Sequence, residues 1–215
     1  MTNKLMSKVF LWMTLGLLVT FATGYFVAGN EKMIVNIFSS GMHWVLMIVE
    51  LALVFILSAR AAKMSGTSAK IFFLLYSFVS GLTFSSIFIV YNLMSIFYVF
   101  IIAAIIFAIF GAIGYFTNLD LTKIGTFLLM GLIAVIICMI INMFIGNEQF
   151  DLIISIISII VFIGFTAYDI QKIKNLAETE MIPEDNIAII GALELYLDYI
   201  NIFLHLLSII GDSKD

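Results

Sequence analysis

Residues 191–211 read GALELYLDYINIFLHLLSIIG, an apolar run as long as a membrane crossing that still carries two carboxylates and a histidine. Glu194, Asp198, Asn201, His205 and Ser208 follow one another at spacings of four, three, four and three. At about 100° per residue they fall within about 80° of one another on a helix. The opposite face is Leu, Ile, Tyr and Phe. So narrow a polar stripe cannot face lipid, because an ionisable group there costs roughly 2.5–3.5 kcal/mol on insertion scales. The pattern predicts a helix whose stripe points into a bundle or lines a wet cavity. A seam of polar side chains that merely fastens helices is the plainer alternative, but two carboxylates and a histidine exceed what fastening needs.

The rest of the chain fits a membrane setting. Of 215 residues, 63% are hydrophobic and 11% charged, with a mean hydropathy of +1.20. A soluble domain has about 45–50% apolar and about 25% charged residues, so this chain cannot coat a water-facing globule. Low charge and 14% aromatic residues exclude disorder. A net charge of −4 without a basic cluster argues against nucleic acid. The single cysteine, Cys138, lies mid-span and supports neither a disulfide nor a thiol metal site.

A helix crossing a hydrocarbon layer of about 30 Å needs about 20 apolar residues. Seven segments qualify: 8–28, 42–62, 71–91, 95–116, 124–145, 152–171 and 187–210. They form one all-α, seven-helix transmembrane domain over 1–215. They are too long for barrel strands and lack the alternation of apolar and polar residues. The first run has no clear small-residue cleavage site, so it is read as a retained helix. Lys4, Lys8, Arg60, Lys63, Lys70, Lys123, Lys172 and Lys174 fall on one side, against Lys32 and Lys214 on the other. That bias predicts a cytoplasmic N-terminus and, with seven crossings, a C-terminus outside. Ile-, Phe- and Lys-rich usage points to a bacterial source and the plasma membrane. No internal repeat is visible, and the one proline, Pro183, lies in the polar stretch 172–186.

Three further charges are out of place. Asp169 closes the sixth span and shares a face with Ser155 and Ser158. Glu50 lies about one third into the second span, with His43 seven residues earlier on the same face. At that depth a carboxylate needs a counter-charge, a proton or water. Arg60, the only arginine, ends that span; its forked guanidinium suits a bidentate grip on carboxylates, though an arginine there also serves as a plain anchor. No phosphate-binding loop, nucleophile elbow or zinc-protease motif occurs, and the chain is read as a non-enzyme.

These residues resemble a known family. Ala167-Tyr168-Asp169-Ile170-Gln171, then Ala192-Leu193-Glu194-Leu195-Tyr196-Leu197-Asp198-Tyr199-Ile200-Asn201-Ile202-Phe203, resemble the signature of the Bax inhibitor-1 family; Glu50-Leu51-Ala52-Leu53 fits the same pattern. The resemblance implies seven helices with the last at the centre, surrounded by the other six, and a pH-sensitive calcium leak across the membrane. It implies that Asp169 and Asp198 form the pH sensor, that Arg60 latches the pair, and that Glu50 is an acidic pore residue. Glu194, Asn201 and His205 join the ion pathway, with calcium, the transported ion, held at Asp169 and Asp198 and no permanent cofactor. Many members carry a basic residue near the end of the last helix, where this chain has Ser208. A second proton on the aspartate pair removes the charge that Arg60 neutralises, which predicts more leak in acid. Two other functions use the same residues: a proton-coupled transporter of a small solute, and a regulator that binds another membrane protein such as a membrane protease.

Overall fold

The computed structural model describes residues 2–179 and 181–214. Among the described residues eight α-helices follow in order: α1 (Thr2–Ala28), α2 (Glu31–Ser39), α3 (Met42–Arg60), α4 (Gly66–Val90), α5 (Leu93–Phe116), α6 (Thr122–Ile145), α7 (Glu148–Glu178) and α8 (Glu184–Ile210). A 3-10 turn, Ala61–Lys63, joins α3 to α4. Among the described residues no strand forms beyond an isolated bridge between Tyr91 and Ser213. All but α2 are long and apolar enough to cross a membrane, as the hydropathy pattern predicts. Their exposed surface is oily: Phe26, Phe55, Phe116, Phe127 and Phe144 are each at least 70% exposed. In water that surface would aggregate; in lipid it is solvated.

Local chemistry sets the boundaries. Asn30 caps α2 by accepting from the Met33 N–H at 3.2 Å. Ser65 does the same for α4 through the Ser68 N–H at 3.1 Å. Gly41 (φ 76°) opens α3 and Gly146 (φ 65°) closes α6; both take left-handed backbone that a side chain would strain. Asp120 accepts from the Thr122 N–H at 2.9 Å at the start of α6. The chain enters α8 directly after Pro183, whose carbonyl accepts from the N–H groups of Asn186 and Ile187. The short helix α2 is absent from the seven-segment reading, and α7 runs on to Glu178, well past residue 171. Glu180, in the acidic stretch before α8, lies outside the described residues.

The helices pack as two compact units, each with its own core. One comprises residues 1–92, 176–196 and 213–215; the other comprises 93–175 and 197–212. In the first, α1 and α4 approach closely: a Cβ on Gly81 would stand 2.7 Å from the Thr20 carbonyl oxygen. There the buried Tyr196 hydroxyl meets Thr20 Oγ1 at 2.6 Å, and Thr20 donates to the Ser77 carbonyl at 2.9 Å. In the second, α5 and α6 press glycines against α7, with Gly111 and Gly114 facing Ile170 and Ala167, and Gly125 under the Tyr168 ring. Small residues at such crossings let backbones approach, which is how helices associate where lipid offers no hydrophobic drive.

Helix α8 contributes to both units and is the most enclosed, with 72% of its most apolar window buried; the same measure is 11% for α6 and 17% for α3. Its Leu/Ile/Tyr/Phe face is buried too: Tyr196 and Phe203 are fully enclosed. A helix buried over most of its apolar window in this way places little of its apolar side against lipid.

Candidate functional site

The polar stripe of α8 is only partly enclosed. Asp198 is 4% exposed and His205 8%. Glu194 and Asn201 are half-buried, and Ser208 is exposed near the helix end. Asn201 turns back on its own helix, donating to the Leu197 carbonyl at 2.7 Å. His205 Nδ1 lies 3.2 Å from Ser155 Oγ on α7, and Tyr199 donates to the Phe100 carbonyl of α5 at 2.9 Å.

On α7, Ser155, Ser158 and Asp169 are all buried, Asp169 at 7% exposure. A carboxylate simply solvated at a membrane boundary would be open to water; this one is not. The segment around it is held firmly. Gln171 accepts from the Leu121 N–H and donates to the Leu119 carbonyl, both at 2.8 Å. Lys174 donates to the Tyr115 carbonyl at 2.6 Å and covers the Tyr115 ring at 4.6 Å. The extra length of α7 carries these two grips on the end of α5 and the loop after it.

Glu50 on α3 is half-buried, and α4 supplies its partners. Oε1 accepts from Ser80 at 2.5 Å and Oε2 from Thr83 at 3.1 Å. Ser80 is itself fully buried. The hydrogen bonds satisfy a carboxyl group at a depth where an unpaired one is costly. These two hydroxyls were absent from the sequence-derived site. Their signal is the run of small polar residues in the otherwise apolar third span, Ser77, Ser80, Thr83, Ser85 and Ser86. His43 lies among rings, 4.9 Å from Trp44 and 6.1 Å from Phe38 by centroid. Arg60 is exposed at the last residue of α3.

Another acidic residue escaped the sequence reading. An open recess of about 410 Å³ is lined by Asn142, Asn147, Glu148, Asp151 and Ser208, among others, and Ser208 Oγ lies 3.5 Å from Asp151 Oδ2. Asp151 stands five turns before Asp169, on the face that Ser155 and Ser158 share, so its period was available. Among the described residues no three His, Cys, Asp or Glu side chains gather as a metal cluster. Asp120, in the loop before α6, has its carboxyl held below the usual 3.8 by the Thr122 hydroxyl and N–H. A carboxyl shifted in that direction does not report changes near neutral pH.

Comparison with known proteins agrees with this architecture. A family model described as inhibitor of apoptosis-promoting Bax1 matches residues 2–215. The inner membrane protein YbhL of Escherichia coli K12 is 39% identical over 214 residues, covering 97% of this chain and 92% of YbhL. An uncharacterized protein of Borreliella burgdorferi is 38% identical over 219 residues, covering 99% and 94%. One of Deinococcus radiodurans is 37% identical over 212 residues, covering 98% and 90%.

Proposed function

Because the chain belongs to the Bax inhibitor-1 family, we propose that this multi-pass membrane protein forms a pH-sensitive calcium leak path gated by Asp169 and Asp198. The supporting observation is the burial of a carboxyl group on each of the last two spans, at 7% and 4% exposure. Two carboxyl groups brought together among apolar helices share a proton and titrate as a pair. With one proton the pair carries one negative charge, which Arg60 is assigned to balance. A second proton, gained as pH falls, removes that charge and the attraction with it. The last helix is then released and leak rises; raising the pH reverses the sequence.

Calcium is a hard cation that prefers oxygen ligands. Glu50 offers a carboxylate to the passing ion, oriented by Ser80 and Thr83. Glu194 and Asn201 add oxygens on α8, and His205 continues the pathway. The protein acts as a conduit and not as an enzyme, in the plasma membrane with the N-terminus inside and the C-terminus outside.

Purified protein in calcium-free liposomes, challenged with external calcium and a trapped fluorescent indicator, tests this. Electrodiffusive calcium entry without any partner is the expected result. Saturable solute uptake that collapses with the proton gradient would identify a coupled transporter. No flux, together with a stable membrane-protein partner on pull-down, would identify a regulator.

A further inference from the structure

The end of α3 has an unusual fastening. The last carbonyls of a helix have no partner within it, and a glycine after the helix commonly resolves this. No glycine follows Arg60; the chain continues as Ala61-Ala62-Lys63-Met64. Met64 N–H reaches the Arg60 carbonyl at 3.0 Å and the Ala61 carbonyl at 3.4 Å. Two carbonyls of the turn that follows α3 are bonded by a side chain far along the chain. Asn186, in the first turn of α8, donates its amide to the Ala61 carbonyl at 2.6 Å and the Met64 carbonyl at 2.8 Å. Asn186 is 1% exposed. A buried amide spanning both ends of a four-residue turn holds that turn in one place.

The surroundings strengthen the hold. Asp185 pairs with Lys70 at 2.6 Å and with Lys8 at 3.3 Å, and Glu184 pairs with Lys8 at 2.8 Å. Lys63 in the turn is exposed, as is Arg60 before it. The charged groups beside Asn186 are thus two carboxylates already matched by lysines of α1 and α4, and two cations open to solvent. Asn186 itself carries no charge and cannot titrate. Its contribution is geometric.

We propose that Asn186 is a positioning residue for Arg60: it pins the Arg60–Met64 turn to the start of the helix that carries Asp198. The link to gating rests on the proposed role of Arg60 as the cation of the aspartate pair; the clamp on the turn does not. If α8 moves, the arginine's turn moves with its first residues.

The test uses full-length protein with Cys138→Ala and a spin label on Lys63→Cys, in liposomes, with calcium flux measured alongside. Asn186→Asp keeps the shape and removes both donors. It should mobilise the label and change the acid-to-neutral flux ratio in the same direction as Arg60→Ala, by at least about threefold, the size expected from one modest hydrogen bond lost. Combining the two substitutions should add nothing further. Asn186→Gln, which keeps the amide, should restore part of the immobilisation. Asn186→Ser serves if the aspartate variant fails to fold, and should also mobilise the label. A label as immobile in Asn186→Asp and Asn186→Ser as in the parent would overturn the proposal, as would full additivity with Arg60→Ala. If Arg60→Ala leaves the flux ratio unchanged while Asn186→Asp mobilises the label, the clamp stands and the latch falls.

Discussion

Gly114 of α5 faces the backbone of Ala167 on α7 so closely that a Cβ on the glycine would meet the Ala167 carbonyl oxygen and stand 2.6 Å from its Cα. Asp169 follows two residues later, so this contact sets the position of a buried carboxyl group. Backbone cannot retreat as a flexible side chain can. Gly114→Ala should therefore cost about 1–3 kcal/mol, the range for overpacking. That corresponds to a fall of about 2–4 °C in midpoint per kcal/mol for a chain of this size. Gly29→Ala, where a Cβ would meet nothing nearer than 3.5 Å, should be close to neutral. Thermal denaturation in detergent followed by size exclusion compares them, and equal midpoints would show that α5 and α7 are not packed so tightly.

Tyr196 and Thr20 form a buried hydroxyl pair between α8 and α1. Interhelical hydrogen bonds in membranes average about 0.6 kcal/mol and reach about 1.7 kcal/mol. A double-mutant cycle of Tyr196→Phe and Thr20→Val should return a coupling energy in that range. A value of zero would mean that the pair is satisfied as well apart as together.

The ion pairs at the start of α8 are weaker supports. The Asp185 side chain is 46% exposed and those of its lysine partners 30–35%, and such pairs contribute up to about 1 kcal/mol. Asp185→Asn should cost no more than that, and the difference from wild type should shrink as salt is raised. Denaturation in low and high salt measures both.

Glu50 is held by two hydroxyl donors, and the contribution of each to ion passage can be separated. Glu50→Gln should reduce calcium flux most. Ser80→Ala and Thr83→Val should each reduce it less, with Ser80→Ala the stronger because its bond is shorter, 2.5 Å against 3.1 Å. A hydrogen bond to a charged group contributes about 1.5–3 kcal/mol, so losses of about tenfold or more are expected. Flux unchanged in all three variants would remove Glu50 from the pathway.

The long helices were legible because hydropathy and length decide them. The features that depend on which helix meets which were not. Ser80 and Thr83 are ordinary small residues in an apolar span until α3 brings Glu50 against them. Asn186 looked like the end of a polar linker; its role needs the Ala61 and Met64 carbonyls, which lie more than a hundred positions earlier. On α8, burial extends past the polar stripe to Tyr196 and Phe203. Helix α7 outran its apolar segment because Gln171 and Lys174 bond carbonyl and amide groups of α5 and the following loop. The family signature around Asp169 and Asp198 is readable directly, and both carboxyl groups are buried.

The most direct test of a proton-controlled gate is calcium entry into liposomes measured from acid to neutral pH, with wild type beside Asp169→Asn, Asp198→Asn and the double variant. The wild type should leak more in acid, by about tenfold if the pair's charge contributes about 1.4 kcal/mol to closure. Each single variant should flatten that dependence, and the double variant should leak at a rate independent of pH. An unchanged pH dependence in both single variants would contradict the assignment of Asp169 and Asp198 as the sensor.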